Sequence, residues 1–228
     1  MGSSVAFKCT YNNGGEGALV GFSGTCSDKN MELNVLQERR VWCSDRKCDC
    51  KKFIDGRMKE RPRKPCQESK LFREWRFGAG GFCTGPKKGQ PVPLRRAETG
   101  KFAILTTRFP GDHEKDRRII GLFRIDVVEE NAVRSEKKEG IRLTIEEARK
   151  LLFWRYYRNN AAREPDWRTG LFRYLKDGQV HNILADIAKI VKDAKTRKRV
   201  KALIGRAFGN QRTPRREGCL PRKVASAS

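Results

Sequence analysis

Eight cysteines stand at positions 9, 26, 43, 48, 50, 66, 83 and 219, and seven of them precede residue 84. Cys43, Cys48 and Cys50 form a C-x4-C-x-C cluster, and Cys66 follows after a Lys/Arg-rich stretch. Zinc takes four tetrahedral ligands and accepts thiolates readily, so a short cysteine-dense loop can wrap it at little backbone cost. Cys43, Cys48, Cys50 and Cys66 are therefore the expected Zn2+ ligands, with Cys9, Cys26 or Cys83 able to replace one of them. Arg46, Lys47, Lys51 and Lys52 favour the thiolate form, and Asp45 and Asp49 partly offset that field. The spacing is not the paired C-x2-C of common zinc folds. An iron–sulfur cluster and plain buried thiols are the alternatives. The opening residues contain no apolar stretch of the secretory kind, so reduced thiols and a cytoplasmic setting are expected, nucleoid-associated if the partner is DNA.

The second chemical feature is charge. Against 27 acidic residues stand 51 Lys and Arg, a formal net charge of +24. Such an excess repels itself, and a polyanion relieves the repulsion. Nucleic acid, DNA before RNA, is the expected partner, bound by salt-sensitive release of counterions. No apolar run approaches the roughly 20 residues that cross a bilayer, so no membrane partner is expected.

Catalytic motifs are sparse. The chain has two histidines, His113 and His181, and lacks the G-x-S-x-G, H-E-x-x-H and deaminase H-x-E signatures. The run Asp112-His113-Glu114 with Asp116 suggests a metal-dependent nuclease as an enzyme alternative. It lies within one charged turn, whose simpler reading is a solvated hairpin tip. A scaffold that recruits a protein through its helical end is a third class.

These groups need a frame, and the pattern along the chain supplies one. Residues 5–10 and 18–23 read as short strands joined in a hairpin. The stretch 38–83, broken by Pro62 and Pro65, reads as irregular and metal-held. Within it Gly78-Ala79-Gly80-Gly81 permits close backbone approach, either as a turn or as a cradle for a phosphate or base. Residues 86–100 form a Pro/Gly loop. Lys101–Arg108 and Ile119–Val128 are strands buried on both faces, with Gly121 a bulge or close-approach point. Thr144 and Glu147 form a capping box, and Ile145, Ala148, Leu152 and Tyr156 follow as one helical face. Val180–Ala194 and Val200–Phe208 carry two further apolar stripes, the last stopped by Gly209. The expected organisation is α+β: a cysteine-rich zinc-binding segment over 1–85, a β-unit over 86–143, a basic helical region over 144–210 and a basic tail over 211–228. Lys195, Arg197, Lys198 and Arg199, at the helical junction, are expected phosphate contacts.

The strands Phe102–Arg108 and Arg118–Ile125, with the charged turn between them, resemble the PUA-like superfamily that includes EVE, ASCH and YTH modules. The resemblance covers about residues 101–128 and implies a curved β-barrel flanked by helices that reads a modified or flipped base. An aromatic pocket would accept the base, with stacking returning about 1–3 kcal/mol. Trp42, Trp75 and Phe109 are the aromatic candidates, Arg108 and Asp112 the edge-reading or phosphate-positioning groups, and Arg76, Arg117 and Arg118 neighbouring cations.

Overall fold

The computed structural model describes residues 2–14, 24–63, 65–82, 85–137, 139–157, 166–167 and 170–209. Its centre is a strand of six consecutive buried residues, Phe102–Thr107 (β3). Four other strands share its sheet: Ser4–Lys8 (β1) and Arg118–Arg124 (β4) flank it, and Gly140–Arg142 (β7) and Phe172–Leu175 (β8) complete the order β7-β4-β3-β1-β8. β1 runs parallel to β3 and the other pairings are antiparallel. Arg76–Gly78 (β2), Val127–Val128 (β5) and Ala132–Arg134 (β6) form a second sheet in the order β2-β6-β5. Among the described residues both sheets are open. The helices are Asp28–Glu32 (α1), Asp49–Ile54 (α2), Leu71–Glu74 (α3), Ile145–Arg149 (α4), Asp177–Ile190 (α5) and Ala194–Phe208 (α6). The fold is thus mixed α+β with C-terminal helices, and no helix among the described residues is long and apolar enough to cross a membrane.

The uninterrupted apolar character of β3 follows from its position between β1 and β4. Its two threonines are buried without penalty because each hydroxyl finds a carbonyl: Thr106 donates to Phe7 at 2.7 Å and Thr107 to Cys9 at 3.1 Å. The β3–β4 hairpin matches the sequence expectation, and its register slips between Leu105 and Thr106, opposite Gly121 and Ile119. A Cβ on Gly121 would lie 2.6 Å from the Ile141 carbonyl oxygen and 2.9 Å from the Phe72 ring, so the strand crosses here with no room for a side chain.

Three expectations need correction. β1 has both edges occupied, by β3 and β8, which leaves none for the expected hairpin; residues 18–23 lie outside the described set. The stretch 38–83 is less irregular than its prolines suggest, since it contains α2, α3 and β2. The helix begun at the Thr144–Glu147 capping box ends at Arg149 instead of running to Tyr156. Backbone pairing outcompetes the helical stripe: Ile119 N–H donates to Leu151 at 3.0 Å, and Phe153 N–H to Arg117 at 2.9 Å.

The last two helices follow their apolar stripes. α5 buries Val180, Ile183, Leu184 and Ile187, and α6 buries Val200 and Leu203 before Gly209 terminates it. Asp193 caps α6 by accepting from Thr196 N–H at 2.7 Å. Phe208 then stacks on Phe102, at the start of β3, with ring centroids 6.3 Å apart.

Trp75 caps α3 in the left-handed region, with φ +48°, and its ring lies over Gly140. A Cβ at Gly140 would sit 2.1 Å from that ring. Gly140→Ala is expected to destabilise the chain by about 1–3 kcal/mol through overpacking. Adding Trp75→Leu should recover part of the loss in chemical denaturation, and additive losses would show that the ring contact is not the cause.

Candidate functional site

Because β1 and β3 are parallel neighbours, their C-terminal ends emerge on the same edge of the sheet. Lys8 through Asn12 leave β1 there, and Arg108 leaves β3. They line a cavity of about 620 Å³, whose other walls come from residues 40–50, residues 65–68 and the glycines Gly78, Gly80 and Gly81. Its volume falls within the ordinary range for ligand sites, about 300–1,000 Å³.

Cations crowd one wall. Lys8, Arg40, Arg108 and Arg117 line it, with two carboxylates, Glu38 and Glu114, threaded between the guanidinium groups. Arg40 pairs with Glu38, Arg108 reaches Glu38 and Glu114 at 3.6 Å each, and Arg117 grips Glu114 at 2.6 and 2.9 Å. Four cations against two carboxylates leave an excess of positive charge. Burial, reinforced by Arg117, pulls Lys8 below the usual lysine range, and burial with Arg108 nearby lowers Arg40. Glu68, also on the cavity, accepts from the Thr10 N–H at 3.1 Å, and burial raises its pKa.

An apolar rim stands opposite. Trp42 is 44% exposed and adjoins Val41, 64% exposed, so two large apolar side chains remain in solvent at the mouth. Gly80 packs beside Trp42; its φ of +65° lies in the left-handed region, which favours glycine, while a Cβ there would meet Trp42 Cζ2 at an ordinary contact distance of 3.4 Å.

The floor is sulfur. Cys26, Cys43, Cys48, Cys50 and Cys66 line the cavity as free thiols, so the four expected ligands are gathered on one site with a fifth. Among the described residues no group of three or more His, Cys, Asp or Glu side chains stands in metal-holding geometry. Hydrogen bonding from Cys50, assisted by the Lys51 and Cys50 backbone N–H groups, holds Cys48 well below the ordinary thiol range. Burial raises Cys43 and Cys66, while the bond to Cys48 and burial together raise Cys50. Burial pushes Cys26 up to about 11, opposed by the Asn30 amide. Cys9 also borders the cavity but belongs to the main core, and Cys83 and Cys219 lie outside the described residues.

The remaining sequence candidates sit elsewhere or serve the frame. Trp75 packs edge-on against Phe72 and Phe123, at 5.2 and 6.2 Å between centroids. Phe109 is buried against Tyr11 at 5.5 Å, with Arg149 over its ring. Asp112 accepts from Arg108 through its backbone carbonyl, at 3.3 Å. Arg76 pairs with Glu129 in the second sheet, and Arg118 donates to the Arg149 carbonyl at 2.7 Å. On α6, Arg197 donates to the Val191 carbonyl at 2.7 Å and Arg199 to that of Gly140 at 3.0 Å. Lys195 and Lys198 are exposed.

The expected solvated tip at 109–118 is corrected. His113 and Lys115 are exposed, but Arg117 is 1% exposed and Phe109 is buried. Trp154 Nε1 donates to the Glu114 carbonyl at 2.6 Å, and the Glu114 carboxylate is engaged by Arg117 and Arg108, so the turn is folded onto the body. Lys8 and Arg40 were missed as site residues, and Cys26, an alternative ligand by sequence, joins the four expected cysteines on the cavity. A lysine at the end of an otherwise apolar strand was the legible signal for Lys8; Arg40 had none beyond its place in Arg39-Arg40.

Lys8 yields a pH prediction. Between its lowered folded value and 10.5 the unfolded chain binds more protons at this position, so stability should rise with pH through that alkaline window. Lys8→Met is expected to flatten the rise and stabilise the chain near neutral pH by about 1 kcal/mol. Equal slopes in wild type and variant, measured by urea unfolding, would show that Lys8 carries no such burden. No family model, curated protein or solved structure matches the chain.

Proposed function

We propose that the chain binds nucleic acid by admitting an unpaired or extruded base, modified or not, into the cavity beneath Trp42. The observation that carries this reading is the juxtaposition, around one cavity of about 620 Å³, of a solvent-facing indole with the excess cations Lys8, Arg40, Arg108 and Arg117. An indole offers a stacking face to any base, worth about 1–3 kcal/mol, which offsets the few kcal/mol of unstacking. The adjoining cations would take the phosphate of the same nucleotide. Half-buried cations already short of counter-charge gain more from a phosphate than solvated ones do.

The resemblance to PUA-like base readers fits this assignment, since the β3–β4 hairpin that carries it delivers Arg108 and Arg117 to the cavity. On this reading the module is a reader without chemistry of its own. The exposed α6 cations Lys195 and Lys198 would add sequence-independent attraction to the backbone.

Fluorescence anisotropy with DNA oligonucleotides carrying one unpaired base tests the assignment. Trp42→Ala should weaken binding at least fivefold while leaving its salt dependence unchanged, as expected of lost stacking. Arg40→Ala should weaken it and reduce the slope of log affinity against log salt by about 1, as expected of one lost phosphate contact. Oligonucleotide binding that neither substitution alters would sink the proposal.

A further inference from the structure

Five reduced thiols around one cavity call for more explanation than a small core gives. Cys26 leads into α1, Cys48 and Cys50 stand at the start of α2, Cys43 lies in the turns before it, and Cys66 in the segment before α3. Cys26 and Cys50 are buried in one small cluster, Cys43 and Cys48 pack against it, and Cys66 lines the same cavity. Cys9 stands apart: its thiol donates to the Phe7 carbonyl at 3.9 Å, and the groups that act on it are Glu68 and Arg117.

The donors aimed at these sulfurs carry the argument further. Asn30 Nδ2 donates to Cys26 Sγ at 3.0 Å, and Asn34 Nδ2 approaches the same sulfur at 4.0 Å. A neutral thiol is a weak acceptor, whereas a thiolate makes strong charge-assisted bonds. Two amides converging on one buried sulfur suit a sulfur that carries charge, and outer-shell N–H groups of this kind orient and tune metal-bound thiolates. Disulfide pairing accounts for them poorly, because all five are free and an odd number leaves one over. Simple burial accounts for the apolar contacts with Met31 and Val35 but not for the donors.

We propose that Cys26, Cys43, Cys48, Cys50 and Cys66 form a zinc site in which four of the five sulfurs, Cys26 and Cys48 among them, hold one Zn2+ ion. Zinc is the metal that a four-thiolate tetrahedral set selects most readily. Since the sulfurs are not already in coordination geometry, binding must draw them together. The non-regular segments that carry Cys43 and Cys66 can supply that movement while α2 anchors Cys48 and Cys50. Each thiol still protonated releases its proton to solvent as its sulfur donates a lone pair to the ion, and no electron changes hands. The fifth sulfur remains a thiol. Trp42 immediately precedes Cys43, so the ion would fix the cavity wall that carries the indole.

The experiment uses the full-length reduced chain without nucleic acid, so its outcome is separate from that of the binding assay. Metal analysis after reconstitution with zinc should give about one zinc per chain, and X-ray absorption a shell of four sulfurs at about 2.3 Å. Cys26→Ser and Cys48→Ser should each lower zinc affinity at least tenfold, and Cys9→Ser should leave it unchanged. Should a serine variant fail to fold, alkylation of the wild-type chain read by mass spectrometry serves instead: zinc should protect Cys26 and Cys48, and a chelator should restore their reactivity. A chain that takes up no zinc, a first shell containing fewer than four sulfurs, or a Cys26 equally reactive with and without the metal would overturn the site.

Discussion

Parallel pairing of β1 with β3 is the constraint from which the cavity follows. Two antiparallel neighbours would send their ends to opposite edges of the sheet; parallel ones send both to the same edge. Lys8 and Arg108 therefore arrive side by side, and their like charges have to be accommodated. The turn after β3 does this by folding inward instead of reaching into solvent. It brings Glu114 between Arg108 and Arg117, and Trp154 holds its backbone in place. The buried Arg117–Glu114 pair is thus a consequence of the strand pairing. Removing either partner would leave an uncompensated charge, which is far costlier than the net contribution of the intact pair.

Partial compensation is the telling property of this wall. A chain selected for stability alone could place an apolar residue at Lys8, on a strand where Val5, Ala6 and Phe7 are fully buried. Instead the cation is retained at a cost visible in its lowered pKa, beside guanidinium groups that share too few carboxylates. Local conflicts of this kind concentrate at functional sites, where the missing counter-charge arrives with the ligand.

Legibility in the sequence divided along physical lines. β3, β4, α5 and α6 were readable because apolar period alone sets them, and the Thr144–Glu147 cap because it is local. The end of α4 was not, since the competing bonds from Ile119 and Phe153 join it to a strand 30 residues away in register that no local pattern records. Among the aromatic candidates, Trp42 and Trp75 both stand in cysteine- and cation-rich stretches, and nothing local to either states its burial. Partners distant in sequence separate them: Gly140 accepts the ring of Trp75 into the packed body, whereas Trp42 stays at the mouth beside Gly80. The cysteine cluster was legible as a density, but Cys26 joined it only through the chain path that brings α1 against α2.

That path rests on polar tethers more than on burial. The cysteine-rich segment has a core of its own, in which Cys26, Met31, Val35 and Cys50 are the buried members, separate from the main core. Its attachments to the body include hydrogen bonds from Asn30 and Asn34 to the Tyr11 carbonyl, an exchange of bonds between Asn13 and Ser27, and the Glu38–Arg108 ion pair. Each such bond adds about 1 kcal/mol, and none resists sliding as an interdigitated core does. Directional contacts therefore fix the register of this segment, and the asparagines that tie it to the Tyr11 carbonyl are the same residues that point their amides at Cys26.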